Sequence, residues 1–475
     1  MSMGTYTSLM PRLVLALCAG LFVTSCSGPG AGSAEAGGEQ SASVNVSPSP
    51  STPGDPVNSG SSASGPVAFP VALSDDGRYL VDSTGAPFLL QGDAAWSLLV
   101  QLSLDEAEDY LDARRSQRFN ALIVNLIEHE YADDPPRNAE GEEPFLTPGD
   151  FSTPNSAYFD HVDRVLELAR ERGFVVLLAP AYLGFQGGEE GWFAEMTDNG
   201  ADTLREYGRY VGARYERFDN IIWLEGGDYA PGNEGMQLVN AVVDGIKERD
   251  PDSMHAASWS PETSGLDMPV EWIDLNTIYT YEPAYWASID QYTRHDGAAQ
   301  ILLETAYEAE RSTTTPQSIR AQAYYALLTG CVGQVYGHGD IWPFTEDWRA
   351  ALRAPGIVGM VELYGLFSAL PWPELVPDLE RQILLEESRE DPAVAAVTPD
   401  HSLAVVYVPD DRSVQVDLSG FDSPINVHFY DPTDGSSRDV DLSTVELSSP
   451  VTLPTPGENS LGDSDWVVVV ERSGD

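Results

Sequence analysis

The run Asn220-Ile221-Ile222-Trp223-Leu224-Glu225-Gly226-Gly227-Asp228 carries four large apolar residues in a row and closes on two glycines and a carboxylate. A strand buried on both faces reads as a continuous apolar run, and Ile221–Leu224 is such a run. Further runs of this kind lie at Phe88–Gln91, Ala121–Leu126 and Val175–Ala179 before it, and at His255–Ser258, Thr277–Thr280, Ile301–Leu303 and Gly333–Tyr336 after it. Between them, stretches such as Leu104–Arg115, Tyr158–Arg172, Thr203–Arg217, Gly235–Arg249 and Ser318–Leu328 repeat apolar residues every three or four positions, the spacing of a helix packed on one face. Eight strand–helix units over about 300 residues predict an α/β fold, a (β/α)₈ TIM barrel over 67–372. The alternative is an open doubly wound sheet, but no glycine-rich phosphate loop follows the first strand.

The flanks have other textures. Leu73 to Phe88, with turn residues at Asp75-Asp76-Gly77 and Ser83-Thr84-Gly85, reads as a β-hairpin leading into the barrel. After Pro371-Trp372-Pro373 the chain turns to short alternating runs (Val394–Val397, Leu403–Val408, Val414–Leu418, Ile425–Tyr430, Trp466–Val470) between Asp, Gly, Pro and Ser turns, which predicts a C-terminal antiparallel β-sandwich over 373–475. Residues 27–66 are Gly, Ser, Ala and Pro with almost no large apolar side chains, the composition of a disordered linker. Ahead of them, Arg12 precedes the apolar run Leu13–Val23 and then Val23-Thr24-Ser25-Cys26. That run is too short to span a bilayer. It reads as an export signal over 1–26. The last four residues resemble the lipobox of bacterial lipoproteins, which implies lipidation at Cys26 and a protein held at the outer face of the cell membrane by its lipid alone.

Composition narrows the partners. The chain has 475 residues with 25 Lys+Arg against 75 Asp+Glu, a formal charge of −50. Such a surface repels phosphate backbones and anionic lipid head groups, so nucleic acid is excluded as a partner. Of three cysteines, Cys18 and Cys26 fall in the leader, leaving Cys331 and no disulfide framework. His129 and His338 have no third ligand nearby in sequence, so no metal and no cofactor is expected.

In a barrel of this kind the active site forms at the C-terminal strand ends. Those ends supply Asp93 and Trp96, Asn125 and His129, Tyr182, Trp223 and Asp228, Trp259, Tyr279 and Tyr281, Glu304 and Glu308, and His338 and Trp342. Carboxylates ringed by aromatics suit a sugar, whose apolar ring face stacks on Trp and Tyr; basic residues for a phosphate are nearly absent. Glycoside hydrolysis needs two carboxyl groups, one to protonate the leaving oxygen and one to attack or to activate water. Asp228 is the candidate acid and Glu304 the candidate nucleophile, with Glu225 and Glu308 as their rivals. The remaining residues are candidate substrate contacts, and Tyr279 and Tyr281 could equally pack.

At these positions the sequence resembles a known family. Gly92-Asp93-Ala94-Ala95-Trp96, Phe119-Asn120-Ala121-Leu122, Asn220–Trp223 with Gly226-Gly227-Asp228, and Glu304-Thr305-Ala306-Tyr307-Glu308 are similar to motifs of the apiosidase-like catalytic domain of glycoside hydrolase family 140, over Val71 to Leu370. The resemblance implies a barrel acting on apiose-bearing side chains of pectin, with an aspartate acid/base after strand four and a glutamate nucleophile after strand seven. The tail is similar to a small domain labelled collagen-binding. A retaining glycosidase is the leading reading. A glycan-binding surface protein without catalysis, a glycosidase of other specificity, and an adhesive protein built on the sandwich are the alternatives.

Overall fold

The computed structural model describes residues 42–43, 68–230, 232–266, 268–385, 391–443 and 450–472. The expected leader with Cys26, and the linker apart from Ala42–Ser43, lie outside the described residues.

Eight parallel strands form the barrel: β1 (Leu90–Ala94), β2 (Ala121–Asn125), β3 (Val175–Ala179), β4 (Ile221–Tyr229), β5 (His255–Trp259), β6 (Asn276–Tyr279), β7 (Gln300–Glu304) and β8 (Cys331–Tyr336). They pair in the order β5-β4-β3-β2-β1-β8-β7-β6. The ring closes between β5 and β6 through one parallel bridge, Ala256 to Leu275. The expected barrel is therefore observed. β1 begins two residues later than its apolar run, because Phe88 and Leu89 lead in from the hairpin Pro70–Leu73/Leu80–Asp82.

Each strand alternates between two buried surfaces. Leu90, Ala94, Ile123, Leu177, Ile222, Leu224, Ala256, Ile301 and Leu303 fill the barrel interior. Leu122, Val124, Val176, Leu178, Trp223, Ala257, Trp259 and Leu302 face the helices outside. This two-sided burial is why the strands read as unbroken apolar runs. Two helices begin at capping boxes: Ser103 and Glu106 form one on Leu104–Ser116, and Thr315 with Ser318 does the same for Pro316–Leu328.

The C-terminal sandwich pairs a six-stranded antiparallel sheet with a small sheet of Ser413–Val416, Val451–Pro454 and Ala42–Ser43. Val414, Val416, Leu453, Phe429, Trp466 and Val468 pack between the sheets. The opposite face of the large sheet, with Val394, Val405, Tyr407 and Val469, joins the hydrophobic cluster of the barrel helices. At that seam Tyr324 and Tyr407 stack with ring centroids 4.7 Å apart. Buried Arg320 reaches across to Asp465 at 2.6 and 2.8 Å and to Asp463 at 2.9 Å. The large sheet is thus buried on both faces and shares a core with the barrel.

Candidate active site

An open pocket of about 630 Å³ lies at the C-terminal strand ends. Trp96 follows β1 into it, Asn125 ends β2, and Tyr182 follows β3. Asp228 comes from the end of β4, Tyr279 and Tyr281 from β6, Glu304 from β7, and Trp342 from the loop after β8. Both candidate catalytic carboxylates are in this one pocket.

Each of them sits where a ladder loses register. The β4–β5 register shifts between Gly226 and Tyr229, and the β7–β6 register between Leu302 and Glu304. Irregularities of this kind re-aim side chains next to active sites. At β4 the cause is three successive left-handed residues, Gly226, Gly227 and Asp228, with φ of 90°, 112° and 46°. A Cβ on Gly227 would stand 2.2 Å from the Tyr182 ring, so only glycine lets that ring lie against the turn. The Tyr182 hydroxyl then donates to Asp228 Oδ2 at 3.0 Å.

The electrostatics bind the two acids into a pair. Burial pushes the Asp228 carboxyl up to about 6, the Tyr182 and Tyr279 hydroxyls pull it back, and the Glu190 charge raises it further. Burial also holds Glu304 well above the usual carboxylate range, and the Asp228 charge adds to it; hydrogen bonds from Tyr307 and Tyr279 act in the opposite sense. The Tyr279 hydroxyl, 2.8 Å from that of Tyr281, lines the same pocket as both carboxylates. Like charges this close lose their protons in two steps that belong to the pair, so one proton is retained when the other has gone. One group able to give a proton beside one able to attack is what glycoside hydrolysis requires.

Six expected substrate contacts lie elsewhere, three of them because of pleat direction. Asp93, Trp223 and Trp259 occupy outward positions of their strands. Asp93 is fully buried with its Oδ2 held by Arg114 at 2.5 Å and Tyr110 at 2.6 Å. Trp223 packs on Tyr215 and Trp259 on Trp272, in the helical layer. Glu308 accepts from the Tyr336 hydroxyl at 2.6 Å and from Gly356 N at 3.0 Å, which fixes the loop after β7 to the last barrel helix. That also removes Glu308 as a rival nucleophile. His338 is buried, and its Nδ1 accepts from Asp340 N at 3.0 Å. His129 stands in a neighbouring cavity, against Trp192 and 3.1 Å from Glu195.

The rival acid Glu225 also faces outward. Its Oε1 lies 3.0 Å from His255 Nδ1. Ser253 Oγ donates its proton to the Asp250 carbonyl and so accepts from His255 Nε2, 3.1 Å away. On a neutral ring Nδ1 is then the acceptor, and Glu225 must supply the proton. The same state follows from burial, which pushes Glu225 up to about 8 and His255 well down. Because the folded value exceeds the unfolded 4.5, the folded protein keeps a proton that the unfolded chain has released. That contribution is full below pH 4.5 and is lost as pH rises through about 8. Glu225→Gln keeps a donor to His255 without titrating. Melting temperatures of wild type and variant should therefore diverge progressively over this range, with the wild type falling; a constant difference would contradict the assignment.

Three lining residues are not among the expected contacts: Tyr131, Tyr307 and Glu310. Tyr131 arrives from a loop, six residues beyond the end of β2, and packs edge-on against Trp342 at 5.0 Å. Tyr307 and Glu308 are adjacent, and nothing in the motif distinguishes the one that turns inward. The Tyr307 hydroxyl accepts from Trp96 Nε1 at 3.2 Å, and its own proton is left for Glu304.

Known proteins place this arrangement. The family model described as "Apiosidase-like, catalytic domain" matches residues 74–374, and the one described as "Putative collagen-binding domain of a collagenase" matches 376–471. No curated protein matches the chain. Among solved structures, a glycoside hydrolase is similar at 22% identity and a TM-score of 0.73, over 86% of this chain and 98% of its own. A glycoside hydrolase family 5 protein from Bacteroides vulgatus is similar at 22% identity and a TM-score of 0.73, over 86% and 94%. These structures share the fold, and the family match spans the whole barrel with both carboxylates. The chain belongs to the apiosidase-like family and is a glycoside hydrolase.

Proposed function

We propose that this glycoside hydrolase works with retention of configuration, with Glu304 as nucleophile and Asp228 as acid/base, on apiose-bearing side chains of pectin at the outer face of the cell. The observation that carries the mechanism is the one aromatic pocket at the strand ends that both carboxylates line, where the charge of Asp228 acts on Glu304. Retention is proposed on the family resemblance, which implies a glutamate nucleophile after strand seven, and it predicts carboxyl groups about 5–5.5 Å apart. The roles are those the family resemblance implies, an aspartate acid/base after strand four and a glutamate nucleophile after strand seven. Trp96 Nε1 can only donate, so the Tyr307 hydroxyl accepts from it and can give its own proton to Glu304, which eases the ionisation that burial and the Asp228 charge oppose. Asp228, raised to about 6, keeps a proton for the leaving oxygen under mildly acid conditions.

The substrate is proposed on family membership. Asp228→Ala should cut kcat/KM on natural glycosides by about 10²–10⁴-fold while sparing the first step on aryl glycosides, whose phenolate leaves unaided. The fall in wild-type activity as pH rises above about 6 should be absent from that step in the variant. Equal losses on both substrate types would contradict the acid role.

The location rests on the leader sequence, Leu13–Val23 followed by Val23-Thr24-Ser25-Cys26. Cys26→Ser should move the protein from the membrane fraction to the soluble one, since it removes the acyl-bearing residue. Continued sedimentation with membranes would contradict a lipid anchor.

A further inference from the structure

The catalytic pocket holds a third carboxylate. Glu310 lines it beside Asp228 and Glu304, although it stands six residues past the strand end. Ala309, at φ 62°, reverses the chain just before it. The pocket lining contains no Lys, Arg or His. The adjacent cation, Arg311, stacks on the Tyr281 ring at 4.2 Å. A second acceptor waits in the same pocket: Asn125 is 1% exposed, and its Oδ1 has no hydrogen-bond partner. Three carboxylates with no cationic side chain on the lining are complementary to a ligand rich in donors and poor in negative charge, which describes the hydroxyls of an uncharged sugar.

We propose that Glu310 is a specificity-determining residue, whose carboxylate accepts hydrogen bonds from hydroxyls of the bound glycosyl unit and repels sugars that carry an acid group. This rests on the glycosidase reading of the pocket. Glu310 takes no part in bond making: it neither attacks nor donates, and its charge acts on what may enter. Its field also reaches the nucleophile, adding to the upward pressure on Glu304.

The test uses the full-length protein and 4-nitrophenyl β-D-apiofuranoside as substrate, with D-galactose and D-galacturonate as a neutral and an acidic competitor of matched stereochemistry. Glu310→Gln should lower kcat/KM by about 10–100-fold, the range of one hydrogen bond to a charged group. It should also narrow the ratio of galacturonate to galactose inhibition constants at least about fivefold at low salt. That narrowing should shrink in 1 M salt, where the Debye length is about 3 Å. Glu310→Asp, which keeps the charge, should keep the discrimination. A merely structural residue would not move a salt-dependent ratio of competitors. Unchanged discrimination in a Glu310→Gln enzyme that still cleaves or binds sugar would overturn this inference alone. A wild type that neither cleaves the apioside nor binds either competitor would overturn the substrate reading and this inference together.

Discussion

Glu304→Ala should abolish turnover on every glycoside, with kcat down by at least about 10⁴-fold whatever the leaving group. The reason is positional. Glu304 ends β7 at the register break, inside a pocket whose other lining carboxylates are Asp228 and Glu310. The two acids that sequence alone left as rivals are unavailable. Glu225 is on the outer wall with His255, and Glu308 is tied to Tyr336 and Gly356. Neither of these rivals can therefore substitute as nucleophile. The fold should be undisturbed, because replacing a part-buried carboxylate held above its normal pKa relieves a desolvation cost. Residual activity above about 1% of wild type on an aryl glycoside, with an unchanged melting temperature, would remove Glu304 from the mechanism.

Arg320→Ala should have the largest effect on stability. The guanidinium and Asp465 are both fully buried at the seam between barrel and sandwich, and Asp465 also accepts from the Tyr407 hydroxyl at 2.9 Å. Removing one partner of a buried pair leaves the other charge uncompensated, at a cost of about 3–5 kcal/mol. Arg320→Lys keeps the charge but loses the two-pronged contact and should recover only part of it. Thermal unfolding followed by calorimetry checks this. Because one hydrophobic cluster runs through the seam, the transition should remain single in wild type, and a fragment starting near Pro373 should expose Val405, Tyr407 and Val469 and aggregate. A soluble, folded fragment would contradict the shared core, and would return the adhesive reading of the sandwich to consideration.

The barrel was legible because burial on both faces of a strand leaves a mark that composition alone reveals. Val175–Ala179 is apolar at every position and forms β3 over those same residues. The site was legible only in part. Strand ends could be named, but which side of the wall a residue faces depends on register, and a one-residue change in pleat exchanges pocket for helical layer. Trp223 and Trp259 were assigned to the pocket for their chemistry and lie outside it for their parity. Asp228 and Glu304 face inward at irregularities that no periodicity predicts, although the glycine pair before Asp228 marked one of them. Glu310 and Tyr131 come from loops, where sequence distance from a strand end says little about the return path of the chain.

The central claim is that Glu304 forms the bond to the sugar and Asp228 moves the proton. Azide rescue of the two alanine variants on an aryl glycoside, with the anomeric configuration of each glycosyl azide read by proton NMR, tests it directly. Asp228→Ala should give a product of retained configuration, because azide attacks the glycosyl-enzyme from the face that water uses. Glu304→Ala should give inversion, because azide then enters where the nucleophile stood. Exchanged configurations would reverse the two roles, and inversion from both variants would contradict a covalent intermediate on this pair.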